Sequence, residues 1–225
     1  MKATLAFVAC LLTAGFLSAA EVTGNNTAVV IRKNTVESDT GFQFLCVPVD
    51  GLDIANGTQK TVKLSTVLPA NTVPNGTEVI FVGGTATGSR IVENGAWTAD
   101  ADLNGGQIFW LKYPNSRSGA SVKPDTVIFC GQDRARDELT SLGSGVTALK
   151  NDSSKEITLD QAVNMENFTP GTNDQILTIK AGTAEYKIYT YDEGWYGEGF
   201  GQDAIDDAAA ARIAPGEAFY YFRAN

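Results

Sequence analysis

The sequence predicts an all-β protein: an antiparallel β-sandwich or barrel built from two tandem homologous units, with one short helix inserted in the second unit. Short apolar and aromatic stretches recur between loops rich in Gly, Asn, Thr and Asp, which is typical of strands and turns. The closing stretch, residues 216–225, also repeats the form of residues 106–115: a Gly, then a Phe-aromatic pair, a basic residue and a final Asn. Strands at this spacing, without helices between them, favour antiparallel over parallel sheets.

Residues 1–20 have the form of a secretion signal. Lys2 gives the charged start, an apolar run follows, and the small residues Ser18 and Ala20 precede Glu21. The apolar run is short for a bilayer span. We therefore expect a mature protein that is secreted, extracellular or at the cell surface, with no membrane span once the signal is removed.

Composition excludes several classes of partner and reaction. The chain has 17 Lys and Arg against 26 Asp and Glu, a net charge of -9, and no histidine. Nucleic acids and anionic membranes require clustered basic residues, so neither is expected as a partner. Without histidine there is no Ser-His-Asp or Cys-His nucleophile, no His-ligated zinc and no His general base. We expect a protein that is not an enzyme.

An N-terminal arm, residues 21–40, precedes the repeat and contains the strand candidate Ala28, Val29, Val30 and Ile31. A spare terminal strand can pair with an open sheet edge, either its own or a neighbour's. Pairing with a neighbour would be head-to-tail, and its product can be an open filament. Folding back on its own domain is the alternative.

The first unit is predicted over residues 41–115 and the second over residues 126–225, with a linker at 116–125. The first unit opens with a buried strand at residues 42–48, and we match it to residues 126–131.

This match places the two cysteines of the mature chain, Cys46 and Cys130, at equivalent positions. In an exported protein an even number of cysteines suggests a disulfide, so the two are disulfide candidates. Two separate buried thiols are the alternative.

Further matches follow along the chain. Residues 61–64 correspond to residues 156–159, and residues 79–85 to residues 177–183. Loop insertions account for the changing offsets between the two copies.

Aromatic positions of the repeat are predicted core residues. Trp97 corresponds to Trp195, and Phe109 to Phe219. An aromatic residue present in both copies is more economically a buried residue than a ligand contact.

The predicted helix, about residues 203–212, lies in the main insertion of the second unit. Acidic residues at its start, alanines in its middle and Arg212 in its last turn suit the helix dipole. Pro215 and Gly216 then end it.

Asp100, Asp102 and Asn104, followed by Gly105, have the spacing of the first half of a calcium-binding loop. The twelfth position is Leu111 rather than Glu. Calcium is therefore a possible cofactor through this half motif, and an Asx-rich turn is the alternative.

Tyr196 has no aromatic counterpart in the first unit, where Thr98 occupies its place. It is the candidate for an exposed, ligand-stacking ring in a carbohydrate-binding module. Glu198 together with Asp192 or Glu193 could mimic a glycosidase pair of carboxylates, but solvated surface carboxylates are the simpler interpretation.

Three stretches carry a resemblance: residues 42–48, residues 95–97 with 105–110, and residues 215–220. Their order is similar to that in uncharacterised secreted bacterial β-repeat proteins, in which an "NL-hydrophobic-x-P" strand opens the unit and "PGQAFW" closes it. Gly131 and Gln132 depart from the pattern, because the expected Pro is absent there. No catalytic residue belongs to this pattern.

Together these features predict an exported, non-enzymatic structural protein that assembles with copies of itself, as a filament or lattice, through β-strand addition. The alternative is a carbohydrate-binding or adhesive β module, with glycans as partners and possible calcium dependence.

Overall fold

The computed structural model describes residues 27–33, 42–51, 61–114, 126–137, 139, 142, 144–163, 168–179, 186–197 and 208–224. Strands dominate this part of the chain, and they pair antiparallel. The prediction of an all-β fold with two units is confirmed.

The strands are, in chain order, β1 (Thr27–Lys33), β2 (Phe42–Cys46), β3 (Thr61–Lys63), β4 (Glu78–Phe81), β5 (Ser89–Glu93), β6 (Ala96–Trp97), β7 (Asp102–Asn104), β8 (Ile108–Lys112), β9 (Thr126–Gln132), β10 (Gly145–Lys150), β11 (Gln175–Ile179), β12 (Tyr186–Tyr191), β13 (Trp195–Tyr196) and β14 (Ala218–Arg223). The short helices are α1 (Leu64–Val67), a 3-10 helix (Ala70–Thr72) and α2 (Leu159–Ala162).

Each unit contains a five-stranded antiparallel sheet of the same design. The first has the order β2-β8-β4-β5-β6, and the second has the order β10-β14-β11-β12-β13. In both sheets, the closing strand of the unit (β8 or β14) lies between the opening strand and a meander of three consecutive strands. Two further ladders, β3-β7 and β1-β9, complete the described sheets.

Strand register identifies which residues are equivalent. Leu45 lies opposite Phe109 in the first sheet, and Leu149 lies opposite Phe219 in the second. β10 therefore occupies the place of β2. The predicted match of residues 42–48 with 126–131 is wrong, because the latter form β9, which pairs with β1 instead.

The predicted match of residues 79–85 with residues 177–183 is wrong by one residue. Val79 lies opposite Leu111, and Ile176 lies opposite Tyr221, so Val79 corresponds to Ile176 rather than to Leu177. Burial explains the one-residue difference, because Val79 and Ile176 are both 0% exposed, and a one-residue slip would turn every side chain of the strand to the other face.

Apolar residues of each unit form a separate core. In the first unit it includes Leu45, Val79, Phe109, Leu111 and Phe129. In the second it includes Leu149, Ile176, Trp195, Phe219 and Tyr221. The alternation along β8 and β14 turns every second side chain into these cores and the others to the opposite face of each sheet.

Of the predicted helix at residues 203–212, the structure describes residues 208–212, and residues 208–210 are helical. The rest of that prediction lies outside the described residues, as do the predicted signal segment, residues 1–20, and the whole predicted linker, residues 116–125. In the part of the chain that the structure describes, no helix has the length and apolar character needed to cross a bilayer.

Candidate functional site

The predicted arm forms a strand, β1, that pairs along its whole length with β9. Seven residue pairs run from Thr27 opposite Gln132 to Lys33 opposite Thr126. The predicted assembly residues lie in the middle of this ladder, where Ala28, Val29, Val30 and Ile31 face residues 128–131. The ladder belongs to neither five-stranded sheet.

β9 is anchored in the first unit independently of β1. Val127 and Phe129 are 1% and 0% exposed and belong to the core of that unit. Phe129 also packs against Phe109, with ring centroids 6.5 Å apart. The far end of β9 is fixed as well, since Gln132 and Asp50 exchange two backbone hydrogen bonds of 2.8 and 3.0 Å. β9 is thus held in place without β1, and β1 is its ladder partner among the described strands.

The two units are joined at the turns before their closing strands. Cys46 N donates to Gly216 O at 2.8 Å, and at the equivalent position Lys150 Nζ donates to Gly106 O at 3.1 Å. Both glycines have positive φ, +80° for Gly106 and +74° for Gly216. A Cβ at Gly106 would also approach Lys150 Nζ, but that atom is the end of a flexible side chain, so the positive φ is the main reason for glycine there.

Charged residues cluster beside this junction. Asp152 is 0% exposed, and its Oδ2 lies 3.2 Å from Lys150 Nζ and 3.5 Å from an Arg134 nitrogen. Arg134 also forms ion pairs with Asp137 and with Asp50 (3.9 Å). The segment after β9 is therefore held to both units by ion pairs. The Asp152 side chain is 0% exposed and that of Asp137 is 50% exposed, so the Arg134-Asp152 pair is screened less by water than the Arg134-Asp137 pair.

Burial and neighbouring charges act in opposite directions on the pKa values of this cluster. Desolvation is the main cause that raises the pKa of Asp152, although the nearby Lys150 opposes it. Burial also acts to raise the pKa of Asp137, but hydrogen bonds with Lys150 and Asp152 and the charges of Lys150 and Arg134 together outweigh it and lower that pKa. Desolvation acts to lower the pKa of Lys150, but its hydrogen bonds and charge interactions with Asp137 and Asp152 together outweigh this and raise that pKa. The geometry is that of a structural ion network.

Arg136 extends the same segment to the second unit. Its guanidinium donates to the carbonyls of Gln161 and Ala162, at the end of α2. Carbonyls in the last turn of a helix have no partner within the helix, and a cation is favourable there. Burial lowers the pKa of Arg136, with Asp152 acting in the opposite direction.

The two cysteines are not at equivalent positions of the repeat. Cys46 ends β2, and its Sγ contacts two backbone oxygens of the second unit, Asn151 O at 3.3 Å and Glu217 O at 3.7 Å. Lys150 is its counterpart by register. Cys130 lies in β9 opposite Val29; its side chain is outside the described residues, so the disulfide stays a prediction.

The residues of the calcium half motif lie around β7 and contact protein groups. Asp100 accepts hydrogen bonds from Ser65 N (3.0 Å) and Ser65 Oγ (2.7 Å). Asp102 forms an ion pair of 2.6 Å with Lys63, its partner in the β3-β7 ladder, and Asn104 lies opposite Thr61. In the described ranges, no three Asp, Glu, His or Cys side chains group as metal ligands.

The four predicted core aromatics lie at matching places in the two sheets. Phe109 and Phe219 are 1% and 0% exposed, and Trp195 is also buried. Trp97 is half-buried against the first core, and its Nε1 donates to Leu68 O at 2.8 Å. Tyr196, the predicted stacking residue, is half-buried in the edge strand β13, opposite Thr190.

Sequence reasoning missed an apolar cleft between the two sheets. Its volume is about 610 Å³, and it is lined by Phe42, Ile80, Trp110, Leu177, Ile179, Tyr186, Tyr220 and Phe222. A signal for it exists in the sequence. Residues 108–111 and 218–222 are unbroken apolar runs, and such runs indicate strands that are covered on both faces, whereas alternation indicates one covered face.

Comparison with known proteins gives no relative from which a role can be carried over. No protein-family model, no curated protein and no solved structure matches this chain.

Proposed function

We propose that this protein is an exported, non-enzymatic structural subunit that assembles, outside the cell or on its surface, by passing β1 to the β9 edge of a neighbouring copy. The observation that carries the proposal is the seven-pair β1-β9 ladder, in which a terminal strand pairs with an edge that is anchored without it. Such a pair is a donor strand and an acceptor edge within one chain.

Exchange of this strand keeps every backbone pairing. The ladder between β1 and β9 is the same whether both strands come from one chain or from two, so the swap has a low intrinsic cost. Eight residues, 34–41, separate Lys33 from Phe42. Fully extended they reach roughly 30 Å, which is long enough for β1 to pair with the β9 strand of an adjacent molecule.

The proposed contact is directional. The donor strand and the acceptor edge are different surfaces, so each copy both gives and receives a strand. Heterologous contacts of this kind form rings if the rotation closes and open filaments if it does not. The sequence supports a role without catalysis, because it has no histidine to act as a base, nucleophile partner or metal ligand.

Deletion of the arm tests the proposal. The mature chain and a variant lacking residues 21–36 would be purified and compared by negative-stain electron microscopy and sedimentation velocity. We expect filaments or lattices for the mature chain and folded monomers for the deletion variant. A variant lacking only residues 21–26, which keeps β1 complete, is the matched control and should assemble like the mature chain.

A crosslinking experiment locates the strand. Ile31 and Ile128 lie opposite each other in the ladder. In a Cys130→Ser background, Ile31→Cys and Ile128→Cys would be placed in separately tagged chains, which are then mixed and oxidised. Disulfide-linked heterodimers are expected.

Assembly that persists without residues 21–36, or a mature chain that stays monomeric at every concentration, would contradict the proposal.

A further inference from the structure

The cleft is walled by both sheets, through the faces that point away from the cores. In β8, Phe109 and Leu111 enter the core of the first unit, and Trp110 between them lines the cleft. In β14, Tyr221 enters the second core, and Tyr220 and Phe222 line the cleft. The volume of about 610 Å³ lies within the range of roughly 300–1,000 Å³ that is typical of small-molecule sites.

The chemistry of the walls selects an uncharged occupant. None of the described residues that line the cleft is charged, and their only polar side-chain atoms are the indole nitrogen of Trp110 and the hydroxyls of Tyr186 and Tyr220. A charged group placed against such walls would lose its hydration without gaining a countercharge, which is strongly unfavourable. The occupant is therefore largely hydrocarbon.

The aromatic part of the wall is held rigidly by packing across the two units. Phe44 stacks on Trp110 of its own sheet (ring centroids 4.4 Å apart, planes at 21°) and on Tyr220 of the other sheet (4.8 Å, 17°). Phe42 meets Trp110 edge-on at 6.4 Å and 85°. Rings that are fixed before binding lose little entropy when they stack on a ligand. Flat or ring-containing molecules gain most from such walls.

Exposed apolar surface in the described chain concentrates at this cleft. Tyr186 and Val146 are its two strongly exposed large apolar residues, each 58% exposed. Tyr186 lines the cleft, and Val146 lies opposite Phe222, which also lines it. Exposed apolar patches on a protein surface mark interaction sites. The cleft continues the Phe44-Tyr220 contact between the units, so an occupant would bridge both sheets.

We propose that this cleft is a binding site for a small, uncharged, apolar molecule that contains rings or conjugated double bonds. The size of the cleft favours a small molecule over a protein segment, and its uncharged walls favour a neutral one. The described residues that line the cleft include none from β1 or β9, so this site is argued separately from the strand exchange proposed above.

Titration with N-phenyl-1-naphthylamine, an uncharged probe whose fluorescence rises in apolar surroundings, tests the proposal. The mature chain should bind one probe per molecule saturably. Leu177→Trp, which fills the cleft from one wall, should weaken binding about tenfold or more. Ile80→Trp does the same from the other wall and serves if the first variant does not fold. Tyr186→Ser should weaken binding several-fold, and the matched control Tyr196→Ser should leave it unchanged.

Three outcomes would overturn the proposal. The first is probe binding that does not saturate, or that is equal in all variants. The second is equal affinity for the anionic analogue 8-anilinonaphthalene-1-sulfonate, which would contradict an uncharged ligand class. The third is a loss of self-association in Leu177→Trp without any change in probe binding, which would make the cleft a contact between copies of the chain.

Discussion

Val47 and Asn151 occupy the same position in the two units and make the same backbone hydrogen bonds. Val47 N donates to Gln107 O at 3.0 Å, and Asn151 N donates to Glu217 O at 2.8 Å. Each also accepts the N–H of the glycine that precedes its acceptor residue, at 2.7 and 2.9 Å. One backbone geometry thus serves an apolar side chain in one unit and an amide in the other.

The first prediction is that Asn151→Val, which installs the residue of the first unit, destabilises the protein. Asn151 Nδ2 donates to Lys155 O at 2.8 Å and Ile213 O at 2.9 Å, and its Oδ1 accepts from Ser153 Oγ at 2.8 Å. The side chain is 0% exposed, so valine would leave polar groups without partners in the interior. We expect the free energy of unfolding to fall by about 2–4 kcal/mol, measured by urea denaturation.

The control for this prediction is Ser153→Ala, which removes one partner at a less buried site and should cost about 1 kcal/mol or less. Equal losses for Asn151→Val and Ser153→Ala would show that the amide is not the element that holds this turn.

The repeat itself could be predicted from the sequence only where short signatures survive. The closing strands share a Gly and a Phe, and their equivalence follows from the register of Phe109 and Phe219. Trp97 and Trp195 also correspond. Trp97 lies opposite Val92 in the strand before it, and Trp195 lies opposite Tyr191 in the strand before it. These signatures are local, so they could be matched without knowing the sheet.

The opening strands could not be matched in this way. β2 and β10 share Leu45 and Leu149 but little else, whereas β9 resembles β2 through a Phe and a Cys. Strand equivalence depends on which strand each one pairs with, and pairing partners here are distant in sequence. For the same reason the cleft escaped prediction, because it requires two sheet faces to be placed against each other.

The second prediction concerns the buried ion network. Lys150→Met removes the closest cation from Asp152, which is 0% exposed, and leaves Arg134 at 3.5 Å. A buried carboxylate that loses its closer cation is compensated less well, and we expect a loss of about 3 kcal/mol near neutral pH. The matched control is Lys112→Met, since Lys112 pairs with Glu78 at 3.7 Å on the surface and should contribute about 0.5 kcal/mol or less.

The pH dependence of the same variant gives a second test. Desolvation raises the pKa of Asp152 in the folded state, and Lys150 counteracts it. Without Lys150 that pKa rises further. A carboxyl whose folded-state pKa is above its unfolded value stabilises the fold as it becomes protonated, so the deficit of Lys150→Met should shrink as pH falls. A deficit that grows on acidification would contradict the idea that the loss comes from a buried, ionised Asp152 deprived of Lys150.

The third prediction assigns Asp100 a capping role. Lys63 precedes α1 and supplies no side-chain cap, and Asp100 instead accepts the N–H of Ser65 in its first turn. In the second unit Thr158 caps α2 from its own chain segment, in a capping box with Gln161. Asp100→Ala should therefore cost about 1 kcal/mol, as loss of an N-cap does.

Protonation of Asp100 should have the same effect as its removal. Burial raises its pKa, but hydrogen bonds from Ser65 and Ala101 outweigh this and hold the pKa of Asp100 below its ordinary value. A depressed carboxyl pKa contributes stability that is lost as pH falls through the folded-state pKa. The difference between the native chain and Asp100→Ala should thus narrow in acid below about pH 4. Asp102→Ala, which removes an exposed ion pair with Lys63, is the control and should cost less.

The fourth prediction is that the equivalent residues Trp97 and Trp195 contribute differently to stability. Trp97 Nε1 donates to Leu68 O at 2.8 Å, whereas the buried Nε1 of Trp195 has no hydrogen-bond partner among the described residues. Phenylalanine removes the N–H in both cases, but only at Trp97 does it leave a carbonyl without its donor.

We expect Trp97→Phe to lower the free energy of unfolding by about 1–2 kcal/mol. Trp195→Phe should lower it by less, because relief of a buried, unpaired N–H offsets part of the lost packing. Urea denaturation of the two single variants measures the difference. A larger loss for Trp195→Phe would mean that ring packing, rather than the indole hydrogen bond, decides the contribution of this repeated position.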